Sequence, residues 1–190
     1  RLLKQKNRMI LPVFLWAALA ACGSAGEYTY HFDKLSNVHL ITGMPFFHQK
    51  AFQCGPATLA AVLNYYGETL APEKIADAVF REKLRATTTL DMLLYPRQIG
   101  YASEYYEGSV TDLKEAVKNK VPLIVMVDYG LGPVSKYHFL VVAGYSSEGV
   151  IPNSEKLENS VVPWNIFINQ WGKTHNWTLR IQPRQGPCEE

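Results

Sequence analysis

Two runs of consecutive apolar, largely β-branched residues, Val121–Asp128 (VPLIVMVD) and His138–Tyr145 (HFLVVAGY), constrain this chain most. Turn residues separate them, and each is short enough to predict a buried strand. Such strands need layers to cover them, and the covering sequence lies upstream. Pro56 to Tyr66 predicts a helix, opened by proline in its first turn and ended by Gly67. Its residues Ala57, Leu59, Ala60, Ala61, Val62 and Leu63 are apolar nearly all round, so the helix belongs at the centre. Residues 72–84 read as a second helix, opened by Pro72-Glu73, with Ile75, Ala76, Val79 and Phe80 inward. Thr89 is the expected cap of a third helix through Leu93-Leu94, ended or kinked by Pro96. Ser109 and Asp112 have the spacing of a capping box ahead of Leu113, Ala116 and Val117.

After the two runs, Val150-Ile151 predicts a short strand, Trp164–Trp171 a short helix and Asn176–Ile181 a closing strand. Trp164, Trp171 and Trp177 read as core anchors. Residues 27–45 alternate loosely and predict an extended lead-in. Helices early and strands late describe an α+β domain, with an N-terminal helical half packed on a C-terminal antiparallel sheet.

Composition bounds what such a domain does. The 190 residues are 47% hydrophobic and 19% charged, which excludes a disordered or low-complexity chain and suits one domain. Three cysteines with no CxxC pair fit neither a disulfide scaffold nor structural zinc. The formal charge of +2 comes from Arg1, Lys4, Lys6 and Arg8. Without those four, fifteen basic residues face seventeen acidic ones, a net charge of −2. No basic surface for nucleic acid is left.

The basic start leads into an uncharged apolar run of 13, Met9 to Ala21. It is too short to span a membrane and reads as the core of a secretion signal over residues 1–21. Leu19-Ala20-Ala21-Cys22 resembles the bacterial lipoprotein signal. That resemblance implies lipid on Cys22, a membrane anchor through it, and a place in the cell envelope. With Gly23 following, it implies the outer membrane, facing the periplasm, in a Gram-negative host. Residues 22–43 are then the lead-in of the mature chain, and 184–190 a polar tail carrying Cys188.

The sharpest chemical feature is Gln49-Lys50-Ala51-Phe52-Gln53-Cys54-Gly55-Pro56-Ala57. It sets a thiol just before a helix, where free N–H groups and the positive end of the dipole favour thiolate. A nucleophilic cysteine also needs a base. Among His31, His39, His48, His138 and His175, His138 opens an apolar strand that would hold its ring rigidly. The bland reading stays open, with Cys54 a buried thiol and His138 a polar strand end. His48 beside Gln49 lacks a carboxylate or second thiol at ligand spacing, so no metal is expected.

QCGPATLAAVLNYYG (Gln53–Gly67) is very similar to the opening motif of C39-like cysteine peptidases, and HFLVVAGY resembles their second motif. The 84-residue interval from Cys54 to His138 is compatible with that family. The resemblance implies a papain-like fold over residues 44–183 and no cofactor. It implies a peptide or protein substrate, with Cys54 as nucleophile, His138 as general base and Gln49 as oxyanion donor. Gln53 is then structural. Where the family usually carries an aspartate to orient the histidine, Ser154 stands here, preceded by Asn153. Asn153 is the expected orienter, with Asp128 as the fallback. Two other functions compete: a binding lipoprotein that keeps the peptidase fold without turnover, and an acyltransferase on that fold.

Overall fold

The computed structural model describes residues 35–49, 51–153 and 161–184. Its centre is a seven-stranded antiparallel sheet, and the two apolar runs supply the middle of it. They form β5 (Leu123–Asp128) and β6 (Tyr137–Tyr145), with Val127 opposite His138 and Asp128 opposite Tyr137. β9 (Trp177–Pro183) borders β5, and β4 (Tyr101–Glu107) borders β9. On the other side β7 (Gly149–Pro152) and β8 (Val162–Pro163) follow β6, while β1 (His39–Leu40) pairs antiparallel with the far end of β6.

Strict alternation along β5 and β6 gives the sheet two apolar faces. Ile124, Phe139 and Val141 belong to a core shared with α1 (Cys54–Tyr65), α2 (Pro72–Val79) and α3 (Thr89–Gln98). Val125, Val127, Leu140 and Val142 belong to a second core with α4 (Val110–Lys118) and α5 (Trp164–Gly172). The domain is α+β as the periodicity predicts, yet helices cover both faces of the sheet. Helix α1 is the central one: from Gly55 to Leu63 every residue is buried.

Several boundaries differ from the sequence expectation. α2 stops at Val79, and Phe80–Arg81 (β2) instead pairs with Ala86–Thr87 (β3) in a small hairpin. Thr88 and not Thr89 caps α3, its Oγ1 accepting from Asp91 N at 3.1 Å, and the helix continues through Pro96 to Gln98, because a proline ring late in a short helix removes only one ladder bond. Strand β4 was not predicted, since its exposed positions Glu104, Tyr105 and Glu107 break any apolar period. The capping box forms in both directions: Ser109 Oγ accepts from Asp112 N at 3.1 Å, and Ser109 N donates to Asp112 Oδ2 at 2.9 Å. Trp171 is 2% exposed, and Trp164 and Trp177 pack half-buried against the two cores. Residues 1–34, including Cys22, lie outside the described residues, as do Ser154 and Cys188.

The β2–β3 hairpin grips the start of α1. A Cβ on Gly55 would lie 2.7 Å from Thr87 Cβ, so only glycine lets the hairpin sit this close. Gly55→Ala is expected to cost about 1–3 kcal/mol of overpacking, and each kcal/mol lowers Tm by about 2–4 °C at this size. Calorimetry of the variant checks this, and an unchanged Tm would show that the hairpin yields freely.

Candidate active site

Cys54 is the first residue of α1, which begins two residues before the Pro56 start that the sequence predicts. The turn before it is held in an uncommon conformation. Phe52 has φ +66°, and the Arg85 guanidinium lies 4.2 Å from the centre of its exposed ring. Thr58 Oγ1 donates back toward the Cys54 and Gly55 carbonyls, 2.9 Å from each, which occupies the inner side of the first turn.

The thiol is half-buried against the α1-side core and lies next to the backbone N–H of Phe139, the residue that follows His138 in β6. The loop after β5 adds Tyr129, whose ring centre is 5.4 Å from that of the imidazole and whose hydroxyl feels the charge of Cys54. Cys54, the start of β6 and Tyr129 therefore form one site, although Cys54 and His138 are 84 residues apart. Tyr129 was not singled out from the sequence. A tyrosine at the end of a strand carries no signal of its own, and only the β5–β6 register places it at the imidazole.

Burial dominates the electrostatics. It pushes the Cys54 thiol up from its ordinary value, against the backbone N–H groups of Phe139, Gly55 and Cys54 itself, which pull it down. Burial also pushes the His138 imidazole down, and the Lys136 charge adds to the shift. At neutral pH the resting pair is thus thiol and neutral imidazole. This differs from the thiolate expected at a helix start, because the cost of desolvating sulfur charge exceeds what the helix end returns. The alkylation rate of Cys54 should accordingly inflect above about 8.5, the reference for a free thiol. A pH profile with iodoacetamide checks this, and an inflection below that value would mean that the amide donors win.

Gln49 and Asn153 are brought together, one turn along α1 from the thiol. With Phe46, Ala57, Thr58 and Val141 they line a cavity of about 10 Å³, the room one water needs. Asn153 N donates to Val141 O at 2.8 Å, and its Nδ2 donates to Pro45 O at 2.9 Å. That second bond ties the end of β7 to the segment that carries Gln49. Asn153 Oδ1 is buried and has no partner among the described residues. Asp128, the fallback orienter, is engaged elsewhere: its Oδ1 accepts from Gly130 N at 2.7 Å and Lys136 N at 2.6 Å. Those backbone donors hold its carboxyl below the usual range, with smaller help from Ser135 and Lys173. Gln53 makes no side-chain cap on α1; its carbonyl accepts from Ala57 N at 3.2 Å. Among the described residues no group of three His, Cys, Asp or Glu converges as a metal would require.

Solved structures share this architecture. A protein described as a C39-like peptidase from Bacillus anthracis superposes with a TM-score of 0.64 and 18% identity, covering 80% of this chain and 100% of its own. The peptidase domain of Streptococcus ComA, described as a bifunctional ABC transporter in quorum sensing, gives 0.59 at 20% identity over 73% of this chain and 97% of that one. A double-glycine-motif protease from an AMS/PCAT transporter, solved with its leader peptide, gives 0.59 at 21% identity over 77% and 99%. At these identities the likeness is one of fold, the papain-like fold of C39 peptidase domains. No curated protein matches the chain. The Peptidase_C39 like family matches residues 41–178, from Ile41 just past β1 to Thr178 in β9, and the chain belongs to that family.

Proposed function

We propose that the protein is a cysteine peptidase that cleaves a peptide or protein through a thioester at Cys54. The observation that carries this reading is the thiol at the first residue of α1, packed against the backbone N–H that follows His138. The family and the fold support a peptidase-type function. In the mechanism His138 takes the thiol proton as Sγ attacks the scissile carbonyl, then gives it to the departing amine. A neutral imidazole and a protonated thiol are the correct starting states for that transfer. The Cys54 backbone N–H and the Gln49 side-chain amide donate to the oxyanion. Asn153 Oδ1 is buried and holds no donor among the described residues of the resting structure, which leaves it free to accept the imidazole N–H and orient the ring as the substrate engages. Water then releases the acyl group.

We further propose that residues 1–21 are a lipoprotein signal and that lipid on Cys22 holds the domain to the envelope. The short apolar run and Leu19-Ala20-Ala21-Cys22 support this, and the mass of the mature N-terminus tests it.

The test of the peptidase reading is an acid quench of the protein with a mixed peptide library, followed by intact-mass measurement. A peptide acyl adduct on Cys54, absent in Cys54→Ala and accompanied by new peptide N-termini, is the expected result. An adduct that passes to an added amine and not to water favours the acyltransferase. With neither adduct nor cleavage, the fold is used for binding alone.

A further inference from the structure

Beside the site a polar cleft of about 320 Å³ runs between α5 and the loop joining β5 to β6. Asp128, Tyr129 and Gly130 make one wall, and Asn165, Asn169 and Lys173 stand along the other. The first wall is rigid. Besides the two bonds into Asp128 Oδ1, Tyr129 N donates to Lys136 O at 3.0 Å and Lys173 Nζ donates to Gly130 O at 2.8 Å. A Cβ on Gly130 would lie 1.9 Å from Val134 O, so the loop closes on itself and not into the cleft. The second wall is fixed by Phe167 and Trp171, which bury the opposite side of α5 in the core. Asn165 and Asn169 are exposed, and no described residue hydrogen-bonds their amides.

The position of the cleft follows from the chemistry. The histidine that protonates the leaving amine must stand on the leaving side of the thiol. Tyr129 touches the imidazole and is itself part of the cleft wall, so the cleft begins where the departing chain emerges. Its spacing is that of a main chain. Amides one helical turn apart are separated by about 6 Å along the axis, and peptide groups facing one way on an extended strand repeat every 6.6–6.8 Å or so. Each asparagine carries both a donor and acceptors, as a peptide group does. The carboxylate of Asp128 and the ammonium of Lys173 are turned onto the loop backbone, which leaves a neutral ligand preferred.

We infer that this cleft binds the segment C-terminal to the scissile bond as a neutral, extended peptide held by the Asn165 and Asn169 amides, an assignment that rests on the peptidase reading. Two thiol probes test it without turnover: chloroacetamide, and chloroacetyl-Gly-Ala-Ala-Gly-amide, which extends a peptide on the leaving side. The peptide probe should alkylate Cys54 about ten-fold faster, the worth of two exposed hydrogen bonds. In Asn165→Ala/Asn169→Ala that ratio should fall to within about two-fold of unity, with the chloroacetamide rate unchanged as proof of an intact site. The near-isosteric Asn169→Leu should lose part of the ratio and covers the case of a poorly folded double variant. A wild-type ratio of one, or a ratio that survives both variants, overturns the assignment. Peptide hydrolysis is measured separately. A preserved ratio without hydrolysis refutes turnover and leaves the cleft standing, whereas hydrolysis without the ratio refutes the cleft alone.

Discussion

His138→Ala is expected to lower peptide cleavage by about 10⁴-fold, the upper end of what a positioned acid–base group contributes. The loss is large here because burial holds the thiol up, so sulfur without a base stays protonated at neutral pH. The same substitution should change how stability depends on pH. Burial keeps the folded-state imidazole below its ordinary value, whereas the unfolded ring binds a proton near pH 6.5. The unfolded state therefore holds more protons as pH falls below about 6.5, and the native protein loses stability there. His138→Ala removes this loss, so its Tm should fall less between pH 7 and pH 5 than that of the wild type. Kinetics on any cleaved peptide and thermal melts at the two pH values check both halves. A variant that loses cleavage and keeps the full acid sensitivity would show that another group carries the pH dependence.

Gln49→Ala is expected to lower cleavage by about 10²–10³, the usual cost of one oxyanion donor, while leaving the alkylation profile of Cys54 in place. The two readouts separate because the oxyanion exists only after attack, whereas alkylation needs only the sulfur. The structure adds a second route to the same residue. Asn153 Nδ2 holds Pro45, four positions before Gln49, and both side chains line one small cavity. Asn153→Ala should consequently reduce cleavage by displacing Gln49 and by leaving the imidazole unoriented, and it should also slow alkylation. Equal losses of both readouts in Gln49→Ala would make Gln49 a structural residue of that cavity.

The sequence made the central elements legible because each carries a strong local signal. The helix at Pro56–Tyr66 is apolar on all sides, and the β-branched runs at 121–128 and 138–145 have room for no other element. Where the signal is shared between distant residues it was not legible. β4 forms because its seven residues pair along the whole of β9, a partner some 75 positions away, and its own composition is half polar. The shortened α2 is explained the same way, by a hairpin whose value lies in gripping Gly55. Within the site, the Cys54 motif could be read, but the rise in its pKa could not, since burial is a property of the packed core. Tyr129 and the asparagine ridge of α5 had no motif at all and are defined only by what stands opposite them.

Thr87 pressed against Gly55 has a consequence for how such a chain can change over time. The position after Cys54 is closed to every side chain, so changes in what the site holds have to enter from surfaces that merely look onto the thiol. The loop pinned by Asp128 and the outer ridge of α5 are two such surfaces, and neither contributes a residue to the grip on α1. Substitution there re-tailors what is held without disturbing where the sulfur sits. A scaffold divided in this way tolerates wide divergence in sequence, and 18–21% identity to domains of the same fold is what that tolerance looks like.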